Sequence, residues 1–252
     1  MIQKKIKIEK NIRIVVVSDL HIGLKGFRPD IMNDIIAEIK KPNTYWIGLG
    51  DFIEGREPSH KFYDAREVTM SVGEQYEYFF NAFRPYMKKC LGLHPGNHEE
   101  SLIQRTTVNP ILQFCNDNKV TYLGSVARTV FDNGKNTTSL VTAHGAGGGT
   151  QIGGSINKLI SYAKVFNANV VCVGHYHKLA HTCELHSSED ETGKIHWSPM
   201  HVVLNGSALE SYRDGDFGGY AEKKMMHPNA LGFAVINISQ KDLEITVDLK
   251  PY

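Results

Sequence analysis

Five short clusters of aspartate, asparagine and histidine are spread along the sequence, each with groups able to bind a divalent cation. They are Asp19 with His21, Asp51 after Gly50, Asn97 with His98, His144, and His175 with His177. Residues two apart in extended backbone send their side chains to the same side, so Asp19 and His21 can grip one centre, and so can His175 and His177. Mixed carboxylate and imidazole ligation without cysteine suits Mn²⁺, Fe²⁺ or Zn²⁺ rather than Cu⁺ or a structural zinc. Taken singly, the clusters say little. Asp19 with His21 fits an ordinary strand-end turn, Gly50-Asp51 is a common turn pair, His144 before a glycine run fits a loop, and His175 with His177 fits a surface strand.

Their placement says more. Apolar runs rich in β-branched residues occupy positions 14–17, 45–49, 140–143 and 170–173, and each predicts a buried strand. A candidate ligand follows each run within a residue or two. The segment Pro95-Gly96-Asn97-His98-Glu99 follows residues 91–93 in the same relation. In open α/β sheets the carboxyl ends of strands converge on one crevice, so these five segments are expected to meet. Chance placement of all five at strand ends is a poor alternative.

Amphipathic stretches at 29–41, 65–89, 101–118 and 155–167 predict helices, the third broken at Pro110. Strands alternating with helices predict a sheet covered on both sides. After about residue 178 the pattern predicts antiparallel strands, ending in a hairpin over 232–238 and 243–249. Residues 205–232 lack clear periodicity and read as a functional loop carrying Tyr212, Arg213 and Tyr220. At 252 residues a single domain over 1–252 is expected.

Lys plus Arg number 28 against 27 Asp plus Glu, so no global basic field recruits nucleic acid, and a polyanion must be held locally. Arg56, Lys61, Arg66 and Arg213 are candidates for local phosphate contacts, and Tyr212 and Tyr220 for stacking, although all six also suit an ordinary surface or turn. The four cysteines form no C-x-x-C pair and read as reduced thiols. No apolar run reaches transmembrane length and the N-terminus has no secretory core, which predicts a cytoplasmic protein without a membrane span.

Asp19-x-His21, Gly50-Asp51, Gly96-Asn97-His98-Glu99, His144-Gly145 and Gly174-His175-x-His177 together resemble, in order, the signature blocks of the calcineurin-like metallophosphoesterases. The resemblance runs from about residue 12 to 178, and more loosely to Asn205-Gly206-Ser207, which lacks the proline of the family's closing turn. It implies an α/β fold, a layered α/β/β/α sandwich of two mixed sheets flanked by helices. It also implies two divalent metal ions, Mn²⁺ foremost. Asp19, His21, Asp51 and His177 would hold one, and Asp51, Asn97, His144 and His175 the other. A carboxylate bridging two cations roughly 3.5–4 Å apart lets them share and acidify a water that becomes the nucleophile. His98 would be the general acid. The family orients that histidine with an acidic side chain three positions after the bridging aspartate, here Glu54 where Asp is more usual; a plain surface charge is the alternative for Glu54.

Glu99 and Glu100 either tune the site or simply begin the next helix, where negative charge is favoured. His94 reads as a strand residue. Gly55 stands where protein Ser/Thr phosphatases of the superfamily carry arginine, while Ser18-Asp19-Leu20-His21-Ile22-Gly23 looks more like the nuclease and phosphodiesterase branches. The implied substrate is therefore a phosphodiester in DNA, RNA or a nucleotide. Phosphomonoesterase is the close alternative, and a non-catalytic scaffold of the same fold is the third.

Overall fold

Residues 14–17 carry β-branched side chains on both faces, which a strand tolerates only when it is covered on both sides. A computed structural model, which describes residues 1–148, 151–215 and 218–252, shows what covers them. In chain order the elements are β1 (Ile2–Lys7), β2 (Ile12–Val17), α1 (Pro29–Lys40), β3 (Thr44–Gly48), α2 (Val72–Phe83), a 3-10 segment (Arg84–Lys89), β4 (Cys90–Leu93), α3 (Asn97–Thr106) and α4 (Pro110–Asp117). There follow β5 (Val126–Asp132), β6 (Thr137–Ala143), α5 (Ile152–Phe166), β7 (Val170–Val173), β8 (Leu179–Glu189), β9 (Ile195–Asn205), the short α6 (Tyr220–Lys223), β10 (Gly232–Ile238) and β11 (Ile245–Pro251).

Two mixed sheets result. One has the order β1-β5-β6-β7-β9-β8 and the other β11-β10-β2-β3-β4. Their facing sides form the central core: Ile14, Val16, Ile47 and Leu49 meet Leu140, Val170, Cys172 and Val203. The alternate residues turn outward. Val15, Val17 and Trp46 pack under Ile31, Ile35 and Ile39 of α1 and Phe79 and Phe83 of α2. Val141, Val171 and Val173 pack under Leu159 and Ala163 of α5. The layers are thus helix, sheet, sheet, helix, as expected. β2, β3 and β4 run parallel, as do β6, β7 and β9, so the carboxyl ends of all six strands share one edge of the sandwich.

Two expectations shift. The helix expected over 65–89 forms only from Val72, where Ser71 and Glu74 make a reciprocal cap, and gives way at Arg84 to the 3-10 segment. Residues 65–70 instead dock on the β2 loop, with Thr69 N donating to Gly23 O at 2.8 Å. The helix expected over 101–118 begins earlier, at Asn97, and breaks before Pro110 as anticipated. The late strands are antiparallel as expected, β8 with β9 and β10 with β11 in the terminal hairpin; β8 and β9 extend the first sheet, while β10 joins the second beside β2. Within residues 205–232, positions 216 and 217 lie outside the described residues, as do 149 and 150 before α5.

Candidate active site

The loops that leave the parallel strands are knitted together by backbone. Asp19 N donates to Gly50 O at 3.0 Å and His21 N to Asp51 O at 3.1 Å. His98 N donates to Asp51 Oδ1 at 2.9 Å, and His175 N to Asp19 Oδ1 at 2.9 Å. A Cβ at Gly96 would collide with the Asp51 carboxylate, and one at Gly174 with that of Asp19, so only glycine permits these approaches. Asp19, His21, Asp51, His175 and His177 all have φ between 50° and 66°, in the left-handed region. Such backbone costs an L-residue roughly 1–2 kcal/mol, and strain of this kind collects where function over-determines the conformation.

These turns aim the side chains at one another. Three groups of potential ligand atoms lie mutually within 4.8 Å: Asp19, His21 and His177; His21, Asp51 and His98; Asp51, His144 and His175. Asp51 belongs to two of them. Its Oδ2 lies 3.3 Å from His144 Nε2 and 3.9 Å from both His21 Nε2 and His98 Nε2. His21 Nε2 and His177 Nε2 are 3.0 Å apart, with Asp19 Oδ1 3.3 Å from the latter. The Asn97 amide reaches both His144 Nε2 at 3.0 Å and His175 Nδ1 at 2.7 Å. All seven expected ligand positions are therefore brought together, with His98 beside them.

Three of the imidazoles are pinned from behind. His21 Nδ1 faces the Glu54 carboxylate at 3.1 Å, His144 Nδ1 faces Leu49 O at 2.7 Å, and His175 Nε2 faces Gly147 O at 2.9 Å. Each outer nitrogen meets an acceptor and so carries the hydrogen, which leaves the inner nitrogen's lone pair directed into the cluster. That is the arrangement by which proteins prepare histidine to ligate a cation, and the donor set fits a divalent ion of borderline hardness.

Electrostatics agree with the geometry. Burial opposes ionisation of Asp51, but His98, His144 and His21 outweigh it and hold its carboxyl well below the usual range. Burial likewise disfavours charge on His144, yet Asp51, Asp19 and Glu99 push it up to about 10, so without a cation its inner nitrogen also holds a proton, which an arriving cation would displace. The centre of the cluster therefore attracts positive charge strongly. Burial lowers the pKa of His21 and His175 and favours their neutral, ligating form.

Residues 12–179 match the family model for calcineurin-like phosphoesterase. The chain belongs to that family. As a calcineurin-like phosphoesterase it has the chemistry of phosphate esters as its province, and its Asp and His clusters could hold divalent metal. Among solved structures it is similar to vacuolar protein sorting 29 of Cryptosporidium parvum, at 14% identity and TM-score 0.44 over 97% of this chain and 99% of that one. A predicted phosphoesterase from Streptococcus pneumoniae TIGR4 aligns at 14% identity and TM-score 0.39 over 97% of this chain and 100% of the other. Vps29 of Entamoeba histolytica in complex with Zn²⁺ aligns at 12% identity and TM-score 0.42 over 95% and 99%. No curated protein sequence matches the chain.

In this phosphoesterase the structure also gives places to residues whose roles the sequence left open. Glu99 is both of its sequence readings at once: it stands in the first turn of α3 and it stitches the site. Fully buried, it accepts from Gly96 N at 2.7 Å, Asp51 N at 2.9 Å, Phe52 N at 2.8 Å and Ile53 N at 3.2 Å. Burial and the nearby Asp51 raise its pKa. His94 is buried, its ring between Gly124 O at 2.6 Å and Thr142 Oγ1 at 2.9 Å, a support beneath the Asn97 loop. Ser207 Oγ donates to Asp19 O at 2.8 Å, so the Asn205-Gly206-Ser207 turn braces the first ligand loop without its proline. Arg56 pairs with Glu54 at 2.9 Å, and Arg213 with Glu67 at 2.8 Å; both arginines line the cleft over the cluster. Lys61 and Arg66 stand farther out, and Arg66 pairs with Asp64 at 2.8 Å. Among the described residues no helix is long and apolar enough to cross a membrane.

Proposed function

We propose that this chain is a phosphodiesterase that hydrolyses esters of nucleic acid or nucleotides with the help of two divalent ions, Mn²⁺ first, with Fe²⁺ and Zn²⁺ suited to the same donors. One observation carries the reading: a single buried carboxylate, Asp51, stands between the His21 and His144 clusters. Asp19, His21, Asp51 and His177 would hold one ion, and Asp51, Asn97, His144 and His175 the other. Bound there, the ions supply Lewis acidity, acidifying a water and drawing charge from the phosphoryl oxygens.

The remaining work falls to the chain's own side chains. His98 Nδ1 donates to Glu54 O at 2.5 Å, so Nε2 is the nitrogen that carries the transferable proton. Burial and Arg56 oppose the imidazolium, but Asp51 and Glu54 prevail and raise the pKa of His98, which suits a general acid working near neutral pH. That proton goes to the departing alkoxide. Arg56 and Arg213, held by carboxylates at the wall of the cleft, are placed to meet phosphate oxygens. The diester preference is supported by the Ser18 to Gly23 opening and by Gly55 in place of a phosphatase arginine. Four unpaired cysteines support a reducing compartment, the cytoplasm.

The test is turnover of bis-p-nitrophenyl phosphate, p-nitrophenyl phosphate, and DNA and RNA oligonucleotides with Mn²⁺, with Asp51→Asn as control. Metal-dependent cleavage of the diesters, lost in the control, is expected. Preference for the monoester would turn the assignment to a phosphomonoesterase, and inertness toward every substrate would turn it to a non-catalytic scaffold.

A further inference from the structure

Two cavities meet at the cluster. One, of about 380 Å³, approaches from the His21 and His98 side and is lined by Arg56, Arg213 and other polar groups. The other, of about 330 Å³, lies beneath α5 and reaches the cluster from the Asn97 and His144 side. Its walls are apolar: Val126, Val141, Val171, Val173 and Leu159, with the rings of Tyr162 and Tyr176. Asn97 and Tyr176 line both cavities, so the two adjoin at the cluster.

The second cavity is a half-open cleft: Val141, Val171 and Val173, outward residues of β6 and β7, lie on one side, and the exposed Tyr162 of α5 on another. Its volume falls in the range of small-molecule pockets, roughly 300–1,000 Å³. Its polar groups are at the margin. The Tyr176 hydroxyl and Lys158 Nζ are tied to Ala146 O, at 2.8 and 2.7 Å, which presents the tyrosine ring rather than its hydroxyl. Glu100 and Ser125 complete the lining. A phosphate monoester has one organic arm and fills one such cavity; a diester has two arms and fills both.

We propose that the cleft beneath α5 receives the arm of the diester that stays on phosphorus, and that this arm ends in a nucleobase. Apolar walls and tyrosine rings suit the faces of a flat heterocycle, and Glu100 and Ser125 suit its polar edge. The leaving arm then lies in the opposite cleft, where His98 stands. The inference rests on the diesterase reading and narrows it to nucleoside phosphodiesters.

The experiment holds the leaving group constant and changes the retained arm. With Mn²⁺, kcat/KM is measured for the p-nitrophenyl diesters of thymidine 5′-phosphate, methyl phosphate and octyl phosphate. The thymidine ester is expected to exceed the methyl ester by at least about tenfold, the worth of one stacked base. Val126→Phe, which fills the cleft from β5, removes that advantage and leaves methyl ester turnover within about twofold. Tyr162→Ala, at a side chain 45% exposed and dispensable to the core, gives a partial loss of the same preference should the first variant not fold. Equal rates for the thymidine and methyl esters, or a preference for octyl, would overturn the nucleobase assignment while leaving a diesterase in place. Hydrolysis of none of the three would sink the diesterase reading and this inference with it.

Discussion

His98 turns its Nδ1 to the backbone carbonyl of Glu54, at 2.5 Å, while the Glu54 carboxylate lies 3.5 Å from the same nitrogen and 3.1 Å from His21 Nδ1. One residue thus serves two histidines, with its backbone holding the acid and its side chain holding a candidate ligand. Glu54→Ala should keep His98 in place and weaken His21. We expect metal affinity to fall about 10–100-fold, as for other residues that orient a ligand, with a smaller change in kcat at saturating metal. Titration calorimetry with Mn²⁺ beside steady-state kinetics separates the two; a collapse of kcat at full metal occupancy would show that the charge of this carboxylate matters more to His98 than its hydrogen bond does to His21.

Removing the imidazole of His98 has the opposite signature. His98→Ala should lower kcat by about 10²–10⁴-fold while Mn²⁺ binding changes little. The loss should be greater for alkyl leaving groups than for p-nitrophenolate, which departs without a proton. Equal losses on both would remove His98 from the role of acid.

Glu99→Gln keeps shape but replaces one oxygen by an NH₂ group. Each carboxylate oxygen accepts from two backbone N–H groups, so two buried donors lose their acceptor whichever way the amide faces. A destabilisation of about 2–4 kcal/mol is expected, together with weaker metal binding, because the Asp51 and Asn97 loops are what the carboxylate joins. Urea unfolding with and without Mn²⁺ measures both, and an unchanged midpoint would show that these donors find other partners.

His94 is fully buried, and burial lowers its pKa to about 4. Unfolded, it titrates near about 6.5. The unfolded chain therefore gains a proton first as pH falls, so stability present above pH 6.5 is lost on the way down to pH 4. The contribution is at most about 3 kcal/mol, from 1.36 kcal/mol per pH unit. His94→Gln should flatten this limb of the stability curve, measured as urea midpoints between pH 4 and 7. A limb as steep in the variant as in the parent would assign acid sensitivity to other groups.

Much of this was legible in the sequence because it rests on short-range rules. Apolar runs ending in Asp19, Asp51, His144 and His175 marked both the strands and the edge where they open, since parallel strands put their carboxyl ends together. The helix over 65–89 was overextended because its periodicity carried no sign that Glu67 would pair with Arg213, a contact made across 146 residues. Glu99 was ambiguous for a related reason. A carboxylate in a first helical turn is so ordinary that nothing local reveals three further donors arriving from the Asp51 loop. The cleft beneath α5 leaves no trace in the pattern at all, because valine and leucine at 126, 141, 159 and 171 look the same whether they touch each other or a ligand.

The positive φ values at the ligand-bearing turns set the fold and the chemistry against each other. Glycine at His177 would relax one such turn by about 1–2 kcal/mol and, in the metal-free protein, raise the melting temperature by about 2–4 °C per kcal/mol. It would also delete a donor. Selection of variants for heat resistance alone should therefore enrich inactive sequences, and hardening this protein for use requires that activity be scored in every round.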